Sequence, residues 1–318
     1  MNPKRATIIY NPMSGRPGRR AENVREMAGL LLQRGIESDT RATTGPEDAA
    51  RLAKEALEGE ADIIIGYGGD GTINEVIQEL AGQDAALAVW PGGTSNVLAR
   101  DLGVPFRLTQ IADMIATGKT RRISLGLAQS SSDGETGRQG DPATLAPSLG
   151  RPVAPSRYFV MMAGIGLDAS IARAVNRKLK RRTGEFAYWL SGVRHFFVWR
   201  GEPFTIEVDG RCYESTFALV GNGKGYGGGM MITPNARLED PWFEVYILAP
   251  QRNNLAYLRA LRACMSGKPD VPGVWLIKGE RVVANSVVEP WVEADGEIIG
   301  PLPMTFDIVP DALSIIVP

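Results

Sequence analysis

The stretch IIIGYGGDGTINEV, residues 63–76, decides the fold. Its isoleucine run reads as a short strand buried on both faces, as in a parallel sheet. The run leads into Gly68, Gly69 and Gly71, set around Asp70, and then into the helical spacing of TINEVIQELA, 72–81. Glycines let a backbone approach a ligand closely, and a helix N-terminus attracts anions, so this turn suits phosphates. An acid there repels bare phosphate; Asp70 makes sense beside a magnesium ion or a hydroxyl proton. A plain tight turn competes with that reading, because Asp and Gly are ordinary turn residues. Thr72 with Glu75 fits a capping box at the helix start.

Outward from this stretch the chain alternates. ATIIY (6–10), IESDTRA (36–42), ADIII (61–65) and AALAVW (85–90) read as strands. Segment 19–34, PEDAARLAKEAL (46–57) and 72–81 read as helices, the first stopped by Gly35 and the second opened by proline and acids. The rhythm predicts an α/β lobe over 1–124 with a parallel sheet. Beyond it, QSSSDGETGRQGDPATLAPSLGRPVAPS (129–156) reads as a long flexible loop. The rest alternates apolar and polar residues, with a hairpin signal at Asp209-Gly210, and predicts a mainly antiparallel β lobe over 125–305. Helices are expected near 253–265 and across about 170–198. A cleft between two unlike lobes is the expected substrate site.

Two further loops join the glycine turn. NPMSGR (11–16) follows the first strand and WPGGTSNVLAR (90–100) follows the fourth. In a parallel sheet such loops gather at the carboxyl edge, where ligands bind. Asn11, Ser14, Gly15, Gly68, Gly69, Gly71, Thr72, Thr94 and Asn96 would there offer donors to a polyphosphate. Neither a P-loop nor a first-turn G-x-G-x-x-G is present.

NPMSGR, GGDGTINEV and PGGTSNVLARDLGVP resemble the diacylglycerol kinase catalytic domain, in the wider group of sphingosine kinases and bacterial lipid kinases. MMAGIGLDA (161–169), YGGGMMITPNARLED (226–240) and EADGEIIGPLPMTFDIVPDALSIIVP (293–318) continue the likeness. The resemblance implies an NAD kinase-like first lobe, to which the segment 306–318 returns, and a β-sandwich-like second lobe. It implies ATP at Asn11, Pro12, Met13, Ser14, Gly15, Thr43, Gly68, Gly69, Asp70, Gly71, Thr72, Asn74 and Thr94, with Asp70 helping to hold catalytic Mg2+. It further implies that Glu297 is the general base for a lipid hydroxyl and that Glu239 joins the catalytic network. A structural metal is implied at Asp240 and the backbone carbonyls of Arg237 and Trp242. Two departures bear on that metal: Glu239 stands where relatives have aspartate, and Pro241 where they have glycine, fixing φ at about −65°. From the residues alone, Glu297 reads rather as a solvated residue beside an Asp295-Gly296 hairpin turn.

The remaining features mostly exclude. Formal net charge is −1, which argues against a nucleic-acid partner. Two cysteines, Cys212 and Cys264, cannot build a disulfide framework, and a reducing, cytoplasmic setting is expected. MNPKRATIIYNP is too short in apolar residues for a signal peptide, and no run approaches the length of a membrane span. Attachment at a membrane surface, where a lipid substrate lies, is compatible. The basic and aromatic segment 177–201 suits such an interface, or is a helix with a solvated basic start. His195 is the lone histidine and is expected to be structural. Met161, Met162, Met230 and Met231 are expected to fill core space rather than line a pocket. The sequence leaves a homodimer open. The alternatives to a lipid kinase are an NAD kinase-like enzyme for a soluble substrate and a non-catalytic nucleotide- or lipid-sensing protein.

Overall fold

The structure, a computed structural model, describes residues 4–13, 19–130, 156–166, 201–226, 230–251, 254–265, 271–288 and 290–318. Ser14, Gly15, the predicted helix over 170–198, His195, most of the 129–156 loop and nearly all of the basic-aromatic segment lie outside those residues.

The first lobe follows the predicted alternation: β1 (Lys4–Tyr10), α1 (Arg20–Leu32), β2 (Ile36–Ala42), α2 (Asp48–Glu58), β3 (Ile63–Gly68), α3 (Asp70–Leu80), β4 (Ala86–Pro91), α4 (Val97–Asp101) and α5 (Leu108–Thr117). Strands β2, β1, β3 and β4 lie side by side, all parallel. Every residue of β3 is buried, as a strand covered on both faces must be. Helix α2 buries Ala49, Leu52, Ala53 and Ala56, one stripe at helical spacing. Gly35 ends the first αβ crossing at φ +77°, which glycine tolerates without a Cβ clash.

The second lobe is antiparallel, as the alternating runs predict. Its strands are β5 (Thr120–Ser130), β6 (Ser156–Phe159), β7 (Met162–Ile165), β8 (Phe204–Val208), β9 (Arg211–Ser215) and β10 (Phe217–Gly221), followed by the short pair β11 (Gly225–Tyr226) and β12 (Met230–Met231). Then come β13 (Phe243–Leu248), helix α6 (Asn254–Met265), β14 (Val274–Gly279), β15 (Arg281–Asn285), β16 (Trp291–Ala294), β17 (Glu297–Pro301) and β18 (Met304–Ile316). Both Asp-Gly pairs form the expected hairpin turns, with φ of 46° and 81° at Asp209 and Gly210, and 48° and 83° at Asp295 and Gly296.

One six-stranded sheet runs β14-β13-β10-β7-β16-β17. It packs on the other sheet through a core that includes Phe159, Ile165, Ile206, Phe243, Val292 and Phe306. Its opposite face takes Met162, Leu219 and Tyr246 against Ala260 of α6. Met161 and Met162 are both buried, on different cores, while Met231 is exposed.

The lobes are not separate sheets. Strand β18 pairs with β5 from Met304↔Ser130 to Val309↔Leu125 and again from Leu313↔Ile123 to Ile316↔Thr120. On its other edge its first half pairs with β15 and its last residues reach β4, at Ile315↔Leu87. One sheet therefore continues from the first lobe into the second through β5 and β18, and residue 124 lies inside that continuous strand. A register shift between Val309 and Leu313, where Asp311 has φ 52°, bends the long strand.

Candidate active site at the carboxyl edge of the parallel sheet

The three loops meet where a parallel sheet requires. The Asn11 N–H donates to the Tyr67 carbonyl at 3.2 Å, and the Gly92 N–H donates to the Gly68 carbonyl at 2.8 Å. Thr43 joins them from the end of β2, its N–H donating to the Tyr10 carbonyl at 2.9 Å. Asn11 folds its own loop back by accepting the Met13 N–H at 2.9 Å, and Met13 is exposed. Gly69 and Gly93 touch so closely that a Cβ on Gly93 would lie 2.6 Å from the Gly69 Cα. Gly93→Ala is expected to lower unfolding free energy by about 1–3 kcal/mol, read from urea titration. Thr94 is exposed on the same loop, which Asn96 closes by accepting the Gly93 N–H at 2.8 Å and donating to the Gly93 carbonyl at 2.9 Å.

A strut under this rim has no counterpart in the sequence reading. Arg20, the first residue of α1, is buried and lies 4.1 Å over the Tyr67 ring. Its guanidinium donates to the Tyr67 and Gly92 carbonyls, at the ends of β3 and β4. Tyr67 stacks on Trp90 at 3.6 Å, so one cation and two rings tie the strands that carry the loops. Burial pulls the Arg20 pKa below its usual value. One arginine of the Arg19-Arg20 pair at a helix start carries no signal of such a role.

Asp70 is not in a loop: it is the first residue of α3, after Gly69 in extended conformation. Its Oδ1 accepts the Val97 N–H at 2.7 Å, which fixes the start of α4. The expected capping box is also absent, since the α3 N-cap makes no side-chain cap bond. Thr72 instead packs on Gly68, where a Cβ would lie 2.5 Å from it. Glu75 turns to the neighbouring helix and accepts the Ala49 N–H at 3.1 Å, in the first turn of α2.

One face of α3 meets the second lobe. A Cβ on Gly71 would sit 3.9 Å from Glu297 Oε1. Gln78 clasps the Tyr158 backbone, donating to its carbonyl at 3.0 Å and accepting its N–H at 2.9 Å. Between them Asn74 is buried, and its Nδ2 has no partner in the protein. An unsatisfied buried amide costs about 1–3 kcal/mol, which a ligand oxygen would relieve. The exposed Gly71, the close glycine pair and this free amide fit bound phosphates. Among the described residues no group of three or more His, Cys, Asp or Glu side chains could hold a metal. A cation at Asp70 would therefore share its coordination with phosphate oxygens, as magnesium commonly does.

Asp295 is the site's unforeseen carboxylate. Oδ1 accepts the Met161 and Met162 N–H groups at 2.9 and 3.1 Å, and Oδ2 accepts the Val160 N–H at 2.7 Å. These bonds pin the Glu297 hairpin to the start of β7. The residue heads a turn and is only partly buried, but the carboxylate is enclosed. Its burial raises the pKa to about 6 against the pull of the three N–H groups, and the Asp70 charge pushes the same way. A folded-state value above the usual 3.8 means that the folded chain binds the proton more tightly. That stabilisation is complete below about pH 4 and is lost as pH rises through about 6. Asp295→Asn suits the turn conformation equally well and does not titrate. Its stability relative to wild type should therefore improve by on the order of 2 kcal/mol between pH 4 and pH 7, measured by urea unfolding.

The PNARLED turn reaches the end of α4: burial raises the Asp101 pKa, and the nearby Glu239 charge pushes the same way. Glu239 pairs with Arg121 at 2.6 Å. The Asp240 N–H donates to the Arg237 carbonyl at 2.9 Å, and the Asp240 carbonyl accepts the Ser124 hydroxyl at 2.7 Å. Trp242 carries Lys278 over its ring at 4.5 Å. None of residues 237–242 has positive φ, consistent with proline at 241. Buried Glu244, which accepts the Asn235 backbone and side-chain amides at 2.9 and 2.7 Å, fastens the turn. A metal at Arg237, Asp240 and Trp242 would rest mainly on backbone carbonyls that are in part already engaged.

Comparison with known proteins agrees with this architecture. Residues 5–128 match the family model "Diacylglycerol kinase catalytic domain", and residues 161–317 match "YegS C-terminal NAD kinase beta sandwich-like domain". A diacylglycerol kinase of Bacillus subtilis is 33% identical over 310 residues, covering 95% of this chain and 93% of that protein. One from Staphylococcus epidermidis is 30% identical over 310 residues, covering 95% and 89%. A crystal structure of a diacylglycerol kinase from Bacillus anthracis superposes with a TM-score of 0.75 over 99% of this chain and 97% of that one, at 24% identity, and shares the fold. The chain belongs to the diacylglycerol kinase family and is a lipid kinase. No helix among the described residues is long and apolar enough to cross a membrane.

Proposed function

We propose that this kinase transfers the γ-phosphoryl group of ATP to the hydroxyl of a diacylglycerol-like lipid presented at a membrane surface. The observation that carries the reading is the meeting of Glu297, from the second lobe, with Gly71 in the first turn of α3. A carboxylate able to take a proton thus faces a helix N-terminus built for phosphate.

The carboxyl-edge loops bind and orient the phosphates through backbone N–H groups, and Asn74 adds its free amide. Magnesium, when bound with the nucleotide near Asp70, supplies charge neutralisation for the transferring group. Asp70 keeps the α4 start in place, and the α3 N-terminus favours negative charge in front of it. Glu297 Oε1 accepts the proton of the lipid hydroxyl as the hydroxyl oxygen bonds to the γ-phosphorus. The bond from that phosphorus to the β–γ bridging oxygen breaks, and its electron pair leaves with ADP. Most of the rate comes from positioning and preorganised charge, as loose phosphoryl transfer requires. Relatives named diacylglycerol kinase support the lipid acceptor.

The deciding experiment incubates the protein with radiolabelled ATP and lipid extracts in mixed micelles and separates products by chromatography. Labelled phosphatidate-type lipid is expected. Label appearing only in a soluble nucleotide such as NADP would overturn the reading.

A further inference from the structure

Glu297 reaches the site across the mouth of the β-sandwich, and what meets it there is a cation from the opposite sheet. Arg157 lies on β6, paired with Ala128 of β5, whereas Glu297 opens β17 of the six-stranded sheet. Arg157 Nη2 donates to Glu297 Oε2 at 2.6 Å, and the side chains are only 16% and 29% exposed. This contact is one-handed. Arginine and carboxylate usually pair by two parallel bonds, which would occupy both oxygens. Here Arg157 Nε is buried with no partner, and Glu297 Oε1 looks toward Gly71 instead. Leaving a buried N–H unmade costs about 1–3 kcal/mol, so the geometry is not the one that pairing alone would select. Strand β6 is itself anchored to α3, because Gln78 grips both backbone groups of Tyr158, the next residue. Arg157 therefore carries the registration of α3 directly to one oxygen of Glu297 and leaves the other open.

We propose that Arg157 is a positioning residue for phosphoryl transfer: it holds Glu297 by Oε2 so that Oε1 points at the acceptor hydroxyl beside Gly71. The proposal rests on the reading of Glu297 as the base. A base turned or displaced by an ångström costs about 10²-fold in rate while leaving nucleotide binding to the other lobe.

The test is steady-state kinetics on the full chain with ATP and diacylglycerol micelles, for Arg157→Gln, Arg157→Lys, Glu297→Gln and the double variant Arg157→Gln/Glu297→Gln. Arg157→Gln should lower kcat by about 10- to 100-fold and leave the KM for ATP within about twofold. Arg157→Lys, which keeps a cation within reach of Oε2, should recover most of that loss. In the Glu297→Gln background, Arg157→Gln should cost almost nothing further, since the two act as one unit. A purely architectural tie between sheets would instead lower the thermal midpoint with kcat intact. Should Arg157→Gln be unfolded at the assay temperature, Arg157→Met keeps the packing of the stem and must show the same loss of kcat. Wild-type turnover in Arg157→Gln, or a loss that adds in full to that of Glu297→Gln, overturns the proposal and leaves Glu297 as the base. Full turnover in Glu297→Gln removes both readings.

Discussion

A chain carrying Asp70→Asn is expected to fold and to lose phosphoryl transfer by at least about 10²–10³-fold. The substitution is selective because asparagine retains an Oδ1. The bond to the Val97 N–H at 2.7 Å survives, and with it the start of α4. What disappears is one negative charge at the head of a helix, a favourable place for an acid in itself and the place from which it would help to hold a cation bound with the nucleotide. Circular dichroism and the thermal midpoint should match wild type, while label transfer from ATP to diacylglycerol falls toward background. Removing the charge also relieves Asp295, whose raised pKa it supports, so the acid-side stability change should shrink in this variant. Turnover near the wild-type rate would strip Asp70 of any part in the chemistry.

Glu297→Gln is the second large effect, with an expected loss of about 10²–10⁴-fold in kcat and little change in the KM for ATP. Glutamine keeps an oxygen for the Arg157 guanidinium and fills the same space beside Gly71. It cannot take a proton from a hydroxyl. The separation of kcat from KM is the useful readout, because the loops that would hold nucleotide lie on the other lobe. A rate unchanged by the substitution would leave Glu297 a polar residue at a hairpin.

Much of this was legible in the residues. The strand–glycine–helix order of 63–76 gave the parallel sheet, because fully apolar strands and short glycine turns leave few other arrangements. Asp209-Gly210 and Asp295-Gly296 announced their turns through the left-handed backbone that such pairs accept. Other features were invisible because they are made by distant chain segments. Arg20 and Arg157 look like any surface cations until folding sets them on Gly92 and Glu297, which lie 72 and 140 residues away. Asp295 looked like a turn former, and only the enclosure of its carboxylate by Val160, Met161 and Met162 reveals a tether. The capping box failed for a related reason: local spacing was right, but Glu75 found a better acceptor role on a neighbouring helix.

The shared ladder of β5 and β18 also bears on motion. Two-lobed enzymes commonly shut like a clam, swinging rigid halves about a slack connector. Here the connector is a doubly bonded ribbon, and a wide swing would have to tear its rungs or concentrate all bending at the kink near Asp311. The jaws are thus closer to a fixed vice than to a clam. A stiffened Asp311 region should accordingly leave catalysis nearly untouched.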